Sequence, residues 1–232
     1  MKRGLLISIE VAITTAIIIT YFLLKPAPPV RANYYKVLCM GDSLTESSYG
    51  QYTRHLRRLF KNENLKVNVY SAARPGNTSG EYLDYLRQSD ILKKINPHIL
   101  LLMLGTNDVR IDGDNTPVDR FEKNMREISG ILRRSKAPGG KSLRIFIMTI
   151  PPIFNCDLTT FSEVSQRRVT EEIVPAIGKL AQEEDMHLID LHEFFNKRPE
   201  LLPGVHPGKE GYRAMAEFIF REIRPYIKIG EK

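Results

Sequence analysis

The sequence predicts an α/β fold: a doubly wound, three-layer α/β/α domain on a five-stranded parallel sheet. Short apolar runs recur over residues 37–40, 67–70, 99–104, 143–150 and 188–191. Longer segments with apolar residues at helical spacing separate them, the alternation that builds a parallel sheet covered on both faces. The run Ile99-Leu100-Leu101-Leu102-Met103-Leu104 is apolar at every position, as a central strand buried on both sides requires.

The elements follow in order. Val37 to Met40 form strand one, and the turn Gly41-Asp42-Ser43 precedes a helix whose buried side carries Tyr52, Leu56, Leu59 and Phe60. Strand two ends in the turn-rich Ala73-Arg74-Pro75-Gly76-Asn77. Thr78 or Ser79 then caps a helix with Tyr82, Leu83 and Leu86 facing inward. Strand three ends at Gly105-Thr106-Asn107-Asp108, and Thr116 caps the next helix with Pro117 at its first position. Strand four stops at Pro151-Pro152. A helix from about 162 to 184 follows, with Pro175 expected to kink it. Strand five leads through a loop to a last helix bearing Tyr212, Met215, Phe218 and Ile219.

Ahead of this domain, residues 4–24 form a nearly unbroken apolar run behind Lys2 and Arg3. At about 1.5 Å per residue it matches a bilayer core of about 30 Å. The segment 1–24 therefore reads as a transmembrane signal anchor with its N-terminus inside. A cleaved signal peptide is the alternative, since Val30-Arg31-Ala32 offers small residues for cleavage. Either places the domain outside the cytoplasm: at the cell membrane as a single-pass protein, or secreted or periplasmic. Residues 25–33 form a proline-rich linker, and the folded domain spans 34–232.

The formal charge of +7 invites a nucleic-acid reading. However, Arg57-Arg58, Lys93-Lys94, Arg133-Arg134 and Arg167-Arg168 fall on different elements, so solvated helix faces are expected and no nucleic-acid partner. Cys39 and Cys156 have neither metal nor disulfide-framework spacing, and His55, His98, His187 and His192 are scattered, so no metal site is expected. Oligomeric state is not legible.

Three strand ends carry the chemistry. Gly41-Asp42-Ser43, Gly76-Asn77 and Gly105-Thr106-Asn107-Asp108 all follow carboxyl ends of expected strands, where open α/β sheets bind ligands. His206 precedes the last helix and can approach the same edge. A serine hydroxyl is a poor nucleophile until a base takes its proton, and histidine is the usual base near neutral pH. The tetrahedral intermediate then needs fixed donors for its oxyanion, which a glycine N–H and an asparagine amide can supply. The simpler reading of the first turn is that Gly41 and Asp42 shape it and Ser43 caps the following helix.

These residues, in this order, resemble the SGNH hydrolases, the GDSL-type esterases and lipases, across the whole domain. The resemblance implies a flavodoxin-like sheet and carboxylic ester hydrolysis without a cofactor. It implies Ser43 as nucleophile and His206, within His206-Pro207 and followed by Gly211-Tyr212, as base. The Ser43 N–H, Gly76 N–H and Asn107 side chain would form the oxyanion hole. The Gly-x-Ser-x-Gly elbow of α/β-hydrolases is absent. The expected substrate is a small acyl ester, first an acetyl ester on carbohydrate. A lysophospholipase or thioesterase, an acyltransferase and a non-catalytic binding protein are the alternatives.

The match fails at one place. The family pattern has an aspartate three residues before the histidine, and here that residue is Pro203. In serine proteases, loss of the histidine-orienting carboxylate costs about 10⁴ in turnover. Three outcomes are open: a Ser–His dyad oriented by a main-chain carbonyl, Glu200 reaching in as a substitute, or an inactive protein. Asp190 is expected to fix a turn, Asp108 to brace the loop of Asn107, Asp42 to shape the serine turn, and His192 to be a surface or loop residue.

Overall fold

The computed structural model describes residues 34–113, 115–154 and 160–227. Its sheet has five parallel strands in the order β2-β1-β3-β4-β5. They are β1 (Tyr35–Gly41), β2 (Val67–Ala73), β3 (Ile99–Met103), β4 (Arg144–Met148) and β5 (His187–Ile189). The chain runs from β1 outward to β2, then crosses back to β3 on β1's other side. The winding direction therefore reverses between β1 and β3, and the crevice outside their carboxyl ends is where such sheets bind ligands.

Helices cover both faces. On one, α1 (Tyr52–Asn62) packs against the last long helix, α8 (Lys209–Ile223). On the other lie α2 (Ser79–Gln88), α4 (Val118–Arg134) and α6 (Val174–Glu183), with the short α3 (Ile91–Ile95), α5 (Glu163–Arg168) and α7 (Leu191–Asn196) completing the chain. Every residue of β3 is buried, as expected of a strand apolar at each position.

Local chemistry accounts for the boundaries. Thr78 starts α2 through a capping box: its hydroxyl accepts the Glu81 N–H while the Glu81 carboxylate accepts the Thr78 N–H. The helix cap expected at Thr116 falls on Pro117, and α4 begins at Val118; the Thr116 hydroxyl bonds to the Asp108 carboxylate instead, and its N–H to the Asp108 carbonyl. Pro175 sits in the first turn of α6. A π-helical turn, Val169–Ile173, joins α5 to α6 just before it, widening the hydrogen-bond ladder where proline can donate nothing. Strand five ends at Ile189, and Leu191 belongs to α7, capped by Asp190 whose Oδ1 accepts the Glu193 N–H. Helices α3 and α7, of five and six residues, are too short to show a periodicity in sequence.

The anchor expected over residues 1–24, the linker and Cys156 lie outside the described residues. Among those described, no helix is long and apolar enough to cross a membrane.

Leu101, fully buried at the centre of β3, measures what the sheet contributes. Leu101→Ala is expected to lower unfolding stability by about 2–5 kcal/mol, read as a fall in the urea midpoint at unchanged m-value.

Candidate active site

The chain after β1 forms a turn rather than a helix. Asp42 Oδ1 accepts the Leu44 N–H at 2.9 Å, and the Asp42 carbonyl accepts the Thr45 N–H at 3.1 Å. Helix α1 starts at Tyr52, after Gln51, so Ser43 does not cap it. Asp42 is fully buried and Ser43 part-exposed above it. Gly41 must be glycine, because a Cβ there would collide with the Met103 carbonyl oxygen of β3 and with Thr45 Oγ1. The backbones of β1 and β3 can thus converge directly beneath Ser43.

The other two turns are stitched to this one. The Gly41 carbonyl accepts the Arg74 N–H at 2.8 Å, and the Arg74 carbonyl accepts the Asn77 N–H at 3.1 Å, which leaves Gly76 exposed at the tip of the turn after β2. Asn107 opens the 3₁₀ turn Asn107–Val109 after β3 and is buried. Its Nδ2 donates to the Asn77 carbonyl at 2.9 Å and makes a longer contact, 3.4 Å, with Asp42 Oδ2. Asp108 braces this loop against α2: its carboxylate accepts the Ser79 N–H at 2.9 Å and the Ser79 hydroxyl at 2.6 Å, and Asn124 Nδ2 donates to that hydroxyl at 3.0 Å.

His206 arrives from the opposite side. Its loop is closed on the 3₁₀ turn Pro199–Leu201, where the Leu201 carbonyl accepts the Gly208 N–H at 3.1 Å. Nε2 lies 2.9 Å from Ser43 Oγ, where the Nδ1–H tautomer of the ring can accept a hydrogen bond from the serine hydroxyl. The Tyr49 ring stacks on the imidazole face with centroids 4.4 Å apart and planes 21° apart. Burial holds the His206 pKa below its usual 6.5.

Glu200 is exposed and, among the described residues, makes no hydrogen bond or ion pair with His206. Asp190 is engaged in capping α7 and in accepting the Thr149 hydroxyl at 2.9 Å. The loop position expected for His192 is replaced by a buried one in α7. Its N–H donates to Thr149 Oγ1, and Nδ1 lies 3.3 Å from the Ile150 carbonyl. Among the described residues no group of three or more His, Cys, Asp or Glu could hold a metal ion. A cleft of about 840 Å³ runs along α2 and α4, but none of Ser43, Gly76, Asn107 and His206 lines it; its Arg87–Glu127 and Arg126–Glu122 pairs are surface ion pairs. Sequence reasoning missed Tyr49 and the Asn77 carbonyl, because a lone loop aromatic and a main-chain oxygen carry no pattern.

A sheet that reverses its winding beside a serine, with a histidine on the serine's hydroxyl and an asparagine from the neighbouring strand end, defines a hydrolase-like α/β architecture. The sequence matches the GDSL-like Lipase/Acylhydrolase family over residues 39–214, and the chain belongs to that family. Among curated relatives it is similar to a multidomain esterase of Ruminococcus flavefaciens, at 27% identity over 68% of this chain and 20% of that protein. It is also similar to an acetylxylan esterase of Xylanibacter ruminicola, at 24% identity over 87% of this chain and 45% of that protein. The chain thus spans less than half the length of these relatives. A lipase/acylhydrolase from Enterococcus faecalis superposes with a TM-score of 0.69 at 22% identity, over 85% of this chain and all of the other. The acetylxylan esterase Axe2 of Geobacillus stearothermophilus gives 0.66 at 20% identity, over 82% of this chain and 94% of the other.

The carboxylates under the site make stability depend on pH. Burial pushes the Asp42 pKa from 3.8 up to about 7 and raises that of Asp108 as well. A raised folded-state pKa means that the folded protein binds the proton more tightly than the unfolded chain. The Asp42 contribution is therefore complete below pH 3.8 and is lost as pH rises through about 7. Urea midpoints measured from pH 4 to pH 8 are expected to fall over that window, and Asp42→Asn to flatten part of the fall.

Proposed function

We propose that the protein is a serine esterase that removes small acyl groups, acetyl above all, from carbohydrate esters. The observation that carries this reading is the 2.9 Å line between Ser43 Oγ and His206 Nε2, beside the turns of Gly76 and Asn107. His206 takes the Ser43 proton as Oγ bonds to the acyl carbon. The oxyanion is held by the Ser43 N–H, the Gly76 N–H and Asn107, whose Nδ2 has only a long contact to Asp42 on its second side. The tetrahedral intermediate collapses by breaking the bond to the alcohol oxygen, which leaves with the proton from Nε2. Water then enters, gives a proton to Nε2 and attacks the acyl-enzyme, and the carboxylic acid departs as Ser43 regains its hydrogen.

Support for the substrate class comes from relatives. The Ruminococcus protein is named an esterase, and the Xylanibacter and Geobacillus proteins are acetylxylan esterases. Axe2 is also solved as catalytic mutants in which a serine or a histidine is replaced by alanine. The site's exposed edge, with Ser43 and the Gly76 turn open to solvent, suits a short acyl group on a bulky polar alcohol better than a long chain needing an apolar tunnel. For placement, we assign residues 1–24 as an anchor or signal that puts the domain outside the cytoplasm, on the strength of the apolar run behind Lys2 and Arg3.

With p-nitrophenyl acetate, wild-type protein should turn over while Ser43→Ala and His206→Ala fall to background. Asn107→Ala should lose about a hundred- to a thousandfold in kcat. Activity should rise with pH along one limb whose midpoint lies below 6.5, because protonated His206 cannot accept the serine proton. Unchanged hydrolysis by Ser43→Ala would refute the mechanism.

Fractionation of cells producing the full chain should place it outside the cytoplasm, either in the membrane or free after cleavage. Recovery as a soluble cytoplasmic protein with residues 1–24 intact overturns the assignment.

A further inference from the structure

In this chain Pro203 stands where the related hydrolases carry the aspartate that orients the histidine, and Glu200 lies exposed without contacting His206. A base that must swing between serine and leaving group still needs its ring held and its transient charge stabilised. The one aromatic contact described at the ring is Tyr49, lying nearly parallel at 4.4 Å.

Tyr49 is placed by construction. The segment Ser47–Gly50 closes on itself through the Ser47 N–H on the Gly50 carbonyl at 3.0 Å and the Gly50 N–H on the Ser47 carbonyl at 3.3 Å. The Tyr49 N–H donates to Ser47 Oγ at 3.3 Å. Gly50 sits directly against the ring of Tyr212, which a Cβ there would strike. Tyr212 is buried in α8, six residues beyond His206, and its N–H is bonded to the Gly208 carbonyl at 2.9 Å. The loop bearing Tyr49 and the loop bearing His206 therefore both meet Tyr212, the first at its ring and the second at its main-chain N–H. Tyr49 itself is 72% exposed, an unusual position for a large aromatic unless its covered face is used.

We propose that Tyr49 is a positioning residue for His206: its ring holds the imidazole plane by stacking and favours the imidazolium through its π face. The attraction between an aromatic face and a cation strengthens as charge develops, so it acts more on the transition state than on the resting enzyme. This inference rests on the esterase reading.

The experiment compares wild type with Tyr49→Phe, Tyr49→Leu and Tyr49→Ala, on p-nitrophenyl acetate and on an acetylated xylo-oligosaccharide. Tyr49→Ala and Tyr49→Leu should each lose about two- to tenfold in kcat on both substrates with little change in KM, and Tyr49→Phe should keep wild-type kcat. In wild type the His206 ring protons should resonate upfield by ring-current shielding, and the shift should vanish in Tyr49→Ala and persist in Tyr49→Phe. Urea midpoints should stay at the wild-type value. The proposal is overturned if Tyr49→Leu matches Tyr49→Phe in kcat. It is equally overturned if the only change is a higher KM for the oligosaccharide, which would make Tyr49 a sugar platform. Wild type inert on every ester would instead refute the esterase reading, and the ring-current shift would still report the stack.

Discussion

The site depends on one buried carboxylate. Asp42 lies under the serine turn with one oxygen on the Leu44 N–H and the other facing Asn107 Nδ2. Because Gly41 lets β1 press against β3, that carboxylate can reach across from the first turn to the third. Asn107 passes the constraint on to the second turn through the Asn77 carbonyl. Three loops that would each be mobile alone are thereby tied into one surface. Burying Asp42 raises its pKa to about 7, so the fold gives up some stability near neutral pH to hold the turn.

His206 is secured by different means. Its approach is set by the Leu201–Gly208 bond and by the start of α8, and its ring meets Ser43 on one nitrogen and Tyr49 on one face. Stacking restrains rotation of the imidazole about its Cβ–Cγ bond, and the contact with Ser43 fixes where Nε2 points.

The departures from expectation concern competition for hydrogen bonds. Thr116 is not the cap of α4, since its hydroxyl and its N–H both bond to Asp108. His192 carries no periodic signal, so nothing in its neighbours reveals that α7 buries it against Thr149 and Ile150. Such bonds are not encoded by neighbouring letters.

The order of strands and helices and the placement of three turns at one sheet edge could be read from the chain, as could the candidates Ser43, Gly76, Asn107 and His206, of which the structure brings His206 onto Ser43. Hydrophobic periodicity and turn chemistry are local properties and survive in a linear string. How His206 is oriented could not, since the letter at position 203 says only that no carboxylate is supplied there. That Glu200 points to solvent, that Asp42 bridges to Asn107, and that Tyr49 covers the histidine were decided by the packing of loops on Tyr212 and β3. Those contacts join residues far apart in sequence, and only the closed tertiary structure brings them within bonding distance.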